Sequence, residues 1–317
     1  MSACYSAAWK RHGDPKSGGY CHDPESGTPL LAALALILLL ALLACPAVAQ
    51  ETEYGLLWKY GTGGAVDAVA ISLDGSTVAA GVRNQVVLLD ANGTRLWTRP
   101  IGLRVNGVGI SPEGSYVGAA ADKVYLFDRE GHHLWSEKSG YIYHDVSIAQ
   151  NGSIVAAGRV DGGLYLFGLD QEEIWNHTLD GNCYGVAVSP DGGYFAVGCA
   201  SESVHLIRRN GEEIWNYRTG RPVTSVAISP WGGYVAAGST DRCVYYSTGE
   251  GDHLWKFPTE ASVRGVAVTV NGSAVAASSG NLIYVLSRDG EILWSHDAGG
   301  QVGKLAFSAD GSTLVAA

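Results

Sequence analysis

Side chains of unlike chemistry recur in this sequence every 38 to 40 residues, each beside the start of a short apolar run. They are Asp67, Asn106, His144, Tyr184, Thr224 and Arg264, and Gly303 continues the series. A carboxylate, an amide, an imidazole, a phenol, a hydroxyl and a guanidinium brought to one ring would suit the recognition of a polar ligand. The competing interpretation is that these residues have no shared role and vary because the position is exposed to solvent.

Three cysteines lie among the repeated segments. Hairpin pairing about Asp191-Gly192 would bring Cys183 and Cys199 within a residue of register, and Cys243 lies one repeat later. A disulfide between the first two stays open from the sequence, because adjacent strands rarely offer the required Cβ geometry. An odd number of cysteines leaves at least one free thiol.

Catalytic and cofactor motifs are missing. The group Cys4, His12, Cys21 and His22 fits no zinc spacing, and the sequence has no Cys-Cys pair, HExxH, GxSxG or calcium loop. Gly61 to Gly64 are followed by no helix that could hold a phosphate. We therefore predict no enzyme activity, no cofactor and no metal.

The elements that must position these residues are internal repeats. The repeat is marked by tryptophans with spacings of 39, 38, 40, 40, 40 and 39 residues, and by turn glycines with the same six spacings. The tryptophans are Trp58, Trp97, Trp135, Trp175, Trp215, Trp255 and Trp294, and the glycines are Gly75, Gly114, Gly152, Gly192, Gly232, Gly272 and Gly311. Two markers on different strands indicate duplication of whole units.

One unit, Cys183 to Trp215, contains four short apolar runs separated by turn residues. About 40 residues with four strands is one blade of a β-propeller. We predict an all-β, seven-bladed propeller of four-stranded antiparallel blades over residues 53–317. Small residues on the first two strands leave room for the tryptophans, which should pack between neighbouring blades. The varied ring then lies at the rim of the central channel, where binding sites converge.

The seventh blade is predicted to be shared by the two ends of the chain. Leu56 to Tyr60 forms a last strand only, and Val302 to Ala317 forms a first and second strand only. The third strand of this blade is therefore expected to be absent. Either the sequence stops short of a strand that the natural protein has, or a partner donates the strand by β-augmentation.

The N-terminal region differs from the repeats. Residues 1–28 lack periodicity and are predicted to be a disordered tail. Residues 29–49 carry no charge and are long enough to cross a bilayer as one hydrophobic helix. Three fates stay open for this segment: a signal sequence cut after Ala49, a retained anchor, or a lipoprotein leader with Cys45 as the lipidated residue. All three predict an extracytoplasmic propeller.

The charge excludes one class of partner. The formal net charge is -10 and the pI is about 5.3, with acidic residues spread over the loops. Such a field repels phosphate backbones, so we expect no nucleic-acid partner.

Several segments resemble known families. VYLFDREGHHLW, VVLLDANGTRLW and VLSRDGEILW resemble the tryptophan-docking repeats of PQQ-like propellers, and VAVSPDGGYFAVG and VAISPWGGYVAAG resemble the first half of WD-repeat and YVTN-type units. The mixture is similar to surface propellers of methanogenic archaea, and a related likeness is to the propeller lipoprotein of bacterial outer-membrane assembly. The resemblance implies a scaffold with no assigned reaction. The Trp-Asp dipeptide of WD repeats and the cysteine pair of quinoprotein dehydrogenases are missing.

These observations lead to two hypotheses for function. The first is a non-catalytic, monomeric, extracytoplasmic scaffold that binds a protein or cell-surface polymer through its channel-rim loops, with a membrane contact through residues 29–49 if they are retained. The alternative is a propeller that binds a small molecule or quinone-type cofactor, as an oxidoreductase would. Absorbance and metal content of the purified protein would distinguish them.

Overall fold

Seven four-stranded antiparallel sheets form the protein, as a computed structural model describes it for residues 5–11, 54–137, 140–149 and 152–317. Blade 1 contains β3 (Val66–Ile71), β4 (Thr77–Val82), β5 (Gln85–Asp90) and β6 (Arg95–Pro100). Blade 2 contains β7 (Gly107–Ile110), β8 (Tyr116–Ala120), β9 (Val124–Asp128) and β10 (His133–Ser136). Blade 3 contains β11 (Tyr143–Ile148), β12 (Val155–Arg159), β13 (Gly163–Phe167) and β14 (Glu173–Thr178). Blade 4 contains β15 (Cys183–Val188), β16 (Tyr194–Cys199), β17 (Ser203–Arg208) and β18 (Glu213–Arg218).

The remaining blades close the ring. Blade 5 contains β19 (Val223–Ile228), β20 (Tyr234–Ser239), β21 (Cys243–Thr248) and β22 (His253–Pro258), with a short 3-10 turn at Pro230–Gly232. Blade 6 contains β23 (Val263–Val268), β24 (Ala274–Ser279), β25 (Leu282–Ser287) and β26 (Ile292–Asp297). Blade 7 contains β27 (Leu305–Phe307), β28 (Thr313–Ala316), β1 (Tyr5–Arg11) and β2 (Tyr54–Gly61), in that order from the channel outward. The seven-bladed, four-stranded architecture predicted from the repeats is confirmed.

Blade 7 corrects one part of the prediction. The blade does not lack a strand, because residues 5–11 of the expected disordered tail form β1, which pairs with β28 on one side and β2 on the other. The physical reason is burial: Ala8 is 0% exposed and Trp9 is 4% exposed. The Trp9 ring also packs against Trp294, with ring centroids 6.3 Å apart. The predicted hydrophobic helix at 29–49 lies outside the described residues.

A repeated hydroxyl organises the turn after the innermost strand. In blade 1, Ser72 Oγ accepts a hydrogen bond from the backbone N of Thr77 at 3.1 Å and donates one to Asp74 at 2.6 Å. Gly75 completes the turn at φ +71, a left-handed conformation that glycine adopts without strain. Equivalent hydroxyls in blades 2, 4, 5, 6 and 7 are Ser111, Ser189, Ser229, Thr269 and Ser308.

The tryptophans of the outermost strands lie between blades. Six of them donate an indole hydrogen bond to a carbonyl in the next blade's last turn, at 2.6 to 3.0 Å. Trp97 and Trp135 are each 7% exposed, whereas the other five are half-buried. Trp294 instead contacts Trp9 and Tyr54 of blade 7. The rings therefore join each blade to its neighbour.

Among the described residues, no helix has the length and apolar character needed to cross a membrane.

Candidate functional site

A cavity of about 340 Å³, which we call the rim cavity, lies at one end of the channel. It is lined by Asp67, Arg104, Asn106, His144, Tyr184, Thr224 and Lys304. Five of the six ring residues predicted from the repeat therefore line one cavity, and each belongs to or directly precedes the innermost strand of a different blade. The innermost strands start at this end, so their first side chains meet around the channel axis. A second cavity of about 220 Å³ lies between the innermost strands further along the channel.

An ion pair forms one wall of the rim cavity. Arg104 donates to Asp67 through two nitrogens, with Nε 2.9 Å from Oδ2. The Arg104 side chain is 69% exposed and that of Asp67 is 18% exposed, so a ligand would reach this pair mainly through the guanidinium. Asn106 is fixed beside it, because its amide Nδ2 donates to the Tyr143 carbonyl at 2.9 Å.

An aromatic pair forms the facing wall. The rings of His144 and Tyr184 meet edge to face with centroids 4.8 Å apart. Burial lowers the pKa of His144, the charge of Lys304 lowers it further, and Asp145 opposes both effects. The imidazole is therefore neutral at physiological pH and offers one donor and one acceptor.

The remaining two predicted ring residues are held by protein groups. The Thr224 hydroxyl lies 3.1 Å from the Gly238 carbonyl oxygen and 2.5 Å from that of Val263. Arg264 does not line the rim cavity. Its guanidinium faces Gln301, whose side-chain oxygen can accept from Nε at 3.2 Å and Nη2 at 3.1 Å. The structure thus keeps Arg264 apart from the other five.

A second ion pair crosses the channel below the rim. Lys304 Nζ from blade 7 lies 3.4 Å from Asp145 Oδ2 of blade 3, and it also reaches the Thr224 carbonyl at 3.4 Å and Ser225 Oγ at 3.5 Å. Asp145 additionally accepts the backbone N–H of Val186 at 3.2 Å. The side chains of Lys304 and Asp145 are 20% and 14% exposed, so this pair lies in a partly desolvated setting. Its contacts join blades 3, 4, 5 and 7. It forms the floor of the rim cavity.

Sequence reasoning missed Arg104 and Lys304. A signal for Lys304 was present one position after the ring, where most repeats have a small residue and only two have a charged one. The residues at this position are Ala68, Gly107, Asp145, Gly185, Ser225, Gly265 and Lys304. The two charged ones are opposite in sign and meet across the channel. Arg104 lies in a connection that varies from repeat to repeat, so no pattern marks it.

A calcium-quinone cofactor does not fit these residues. Such a site needs free carboxylates, but Asp67 is held by Arg104 and Asp145 by Lys304. Elsewhere in the described part, the side chains of Asp128, Glu130 and His132 converge on one turn. His132 Nδ1 already lies 2.8 Å from Asp128, which accounts for this cluster as turn chemistry.

The fold and the site together define a seven-bladed β-propeller with a polar cavity at one channel mouth. The family model described as Outer membrane protein assembly factor BamB matches residues 82–239 and 200–317, so the chain belongs to this PQQ-type repeat family. The Cps50 (Swd1) β-propeller domain of Myceliophteria thermophila is similar in structure, with a TM-score of 0.67 and 16% identity, over 80% of this chain and 96% of that chain. That likeness concerns the fold alone. No curated protein sequence matched the chain significantly.

Proposed function

We propose that the protein is a non-catalytic, extracytoplasmic scaffold that binds a segment of a protein or surface polymer at the rim cavity. The observation that carries the proposal is the convergence of unlike side chains from five consecutive blades on one cavity of about 340 Å³. The sequences of the surrounding strands repeat closely from blade to blade, whereas the side chains at the ring position differ in chemistry. Membership of a family described by an outer-membrane assembly factor is consistent with an extracytoplasmic location.

The cavity suits a polar ligand with flat faces. Arg104 presents an exposed cation paired with the largely buried carboxylate of Asp67, and the neutral His144 and the Tyr184 ring present aromatic surface. Peptides and glycans carry this combination of hydrogen-bonding groups and apolar faces.

The test is capture of partners from the native cell envelope with the wild-type chain and a double variant, His144→Thr with Tyr184→Thr. These residues are half-exposed, so folding stability should change by about 0.5 kcal/mol or less for each. Loss of the captured partner with an unchanged unfolding midpoint would support the proposal. Full retention of the partner would refute it.

Trp231 offers a matched control at the opposite end of the channel. Its side chain is 74% exposed and its φ is +53, a conformation that is strained for a bulky residue. Trp231→Asp introduces the residue that three other repeats have in this turn, at Asp74, Asp191 and Asp310, and binding at the rim should survive it. A stoichiometric chromophore or calcium in the purified protein would favour the small-molecule alternative and overturn the scaffold proposal.

A further inference from the structure

Two cysteines face each other across the first hairpin of blade 4. Cys183 of β15 and Cys199 of β16 are direct Cα partners. Just outside the pair, the backbone N of Ala200 donates to the Asn182 carbonyl at 2.9 Å, so the cysteines occupy a non-hydrogen-bonded position. Opposed residues at such positions have Cα atoms about 4.5 Å apart. That separation lies within the range of about 4.4 to 6.8 Å in which disulfides form.

The repeat does not require cysteine at these positions. The equivalent pairs in blades 1, 3, 5 and 6 are Val66 with Val82, Tyr143 with Arg159, Val223 with Ser239, and Val263 with Ser279. Ordinary apolar and polar residues therefore fill the same backbone geometry. Packing alone does not explain two cysteines in blade 4.

The surroundings of the pair favour sulfur chemistry. Both side chains are fully buried in one cluster between blades 3 and 4, where the Cys183 thiol also lies 3.4 Å from the Gly162 carbonyl oxygen. Cys199 also interacts with the His205 imidazole. His205 is itself held by Glu213, 2.6 Å from Nδ1, and by Ser203, 2.8 Å from Nε2.

The electrostatics single out one of the two sulfurs. The hydrogen bond from Cys183 lowers the pKa of the Cys199 thiol, and His205 lowers it further, against the effect of burial. The same contact and burial raise the pKa of Cys183. Burial disfavours a charged His205, but its hydrogen bonds to Cys199 and Glu213 outweigh burial and raise its pKa. The surroundings thus favour ionisation of Cys199 over ionisation of Cys183.

We propose that Cys183 and Cys199 are a modification site that closes to a cross-strand disulfide in the presence of a small disulfide oxidant such as oxidised glutathione. The Cys199 thiolate attacks one oxidant sulfur and releases one glutathione thiolate, which takes up the proton that the Cys199 thiol lost. The Cys183 sulfur, losing its proton, then attacks the Cys199 sulfur of the mixed disulfide and releases the second glutathione. Two protein thiols are oxidised and one glutathione disulfide is reduced to two thiols.

Burial determines when this exchange takes place. Both sulfurs are 0% exposed, so the oxidant reaches them while blade 4 is open, during folding or in local opening. A secreted or envelope protein folds in an oxidising compartment, where such a pair would be closed. The proposal does not depend on ligand binding at the rim cavity.

The experiment refolds the full chain from denaturant in a mixture of oxidised and reduced glutathione. Free thiols are then alkylated, and the protein is digested and mapped by mass spectrometry. We expect one linked peptide pair containing Cys183 and Cys199, with Cys243 alkylated. Alkylation of both Cys183 and Cys199, or linkage of either one to a different cysteine, would overturn the proposal.

Two variants complete the test. Cys243→Ser should keep the Cys183–Cys199 link, whereas Cys199→Ser should abolish it without joining Cys183 to another cysteine. His205→Gln measures the role of the imidazole, since the rate of link formation should fall and its pH profile should move to higher pH. An unchanged rate and profile would show that His205 takes no part in the exchange.

Discussion

The third strand of blade 7 inverts a packing rule that the other six blades follow. In those blades, a small residue of the second strand faces a large residue of the third. The pairs are Ala79 with Leu88, Gly118 with Leu126, Ala156 with Leu166, Ala196 with Leu206, Ala236 with Tyr246, and Ala276 with Val285. In blade 7 the large residue is Val315 and the small one is Ala8, and both are 0% exposed. The pair therefore tests the position of β1 directly.

A small residue at position 315 and a large one at position 8 should restore the rule with little change in the free energy of unfolding. Val315→Ala removes two buried methyl groups, which costs about 2 kcal/mol including the cavity. Ala8→Leu alone overpacks the site and costs about 1–3 kcal/mol. Together they conserve volume within about one methylene, so the double variant should lie within about 1.5 kcal/mol of wild type. The expected coupling energy is about 2 kcal/mol in favour of the double variant.

Urea unfolding of wild type, the two single variants and the double variant measures this coupling energy, provided that the four proteins show the same dependence of unfolding free energy on urea concentration. The control is the same cycle on Ala79→Val and Leu88→Ala in blade 1, where the pairing is between strands adjacent in sequence. If Ala8→Leu leaves stability unchanged and the two single effects simply add, residues 5–11 do not occupy blade 7 and our account of ring closure is wrong.

Three further predictions follow from the described contacts. Lys304→Met should lower the free energy of unfolding by about 2 kcal/mol, because it leaves the partly buried Asp145 carboxylate without its cationic partner. Adding Asp145→Asn removes the unpaired charge and should recover most of the lost stability in a thermal melt. Trp135→Ala should lower the free energy of unfolding by about 3–5 kcal/mol, because it removes a buried ring. Trp135→Phe should lower it by about 1–2 kcal/mol, mainly through loss of the indole hydrogen bond to the Leu169 carbonyl. Equal losses for the two variants in urea unfolding would contradict a packing role for the ring. The raised pKa of His205 stabilises the fold fully below the unfolded value of about 6.5, and this contribution is lost as pH rises through the folded pKa. The difference in free energy of unfolding between wild type and His205→Gln should therefore narrow as pH rises above about 6.5, and a difference that widens would refute the assignment.

Features that repeat were predictable from the sequence, whereas features that occur once were not. The tryptophan spacing reports a geometry imposed on every blade, and so does the ring that contains His144. β1 was missed because YSAAWKR has alanines where the other third strands have large apolar residues, and because residues 12–53 separate it from β2. Strand identity there comes from the slot that β28 and β2 leave between them, a tertiary effect that local propensity does not encode.

In the rim cavity, too, the repeated features were predictable from the sequence and the single ones were not. Spacing placed Asp67, Asn106, His144, Tyr184 and Thr224 at one level, since each shares the register of its innermost strand. The position of Arg264 next to Gln301 depends on a loop conformation, and the sequence gives no register for loops. The exact alignment of the two blade 4 cysteines depends on the irregular pairing at the start of β15, which shifts the register after Cys183.

The pairing of Arg11 with Tyr54 has a topological consequence for the whole chain. β1 ends at Arg11 and β2 begins at Tyr54, and these two residues lie side by side in the blade. The chain is therefore on the same side of any continuous barrier at both residues. A single bilayer crossing between β1 and β2, or a peptidase cut there, would divide the two strands between compartments or between chains. Wherever this pairing holds in one continuous chain, the N-terminal strand and the propeller share a compartment, and locating one locates the other.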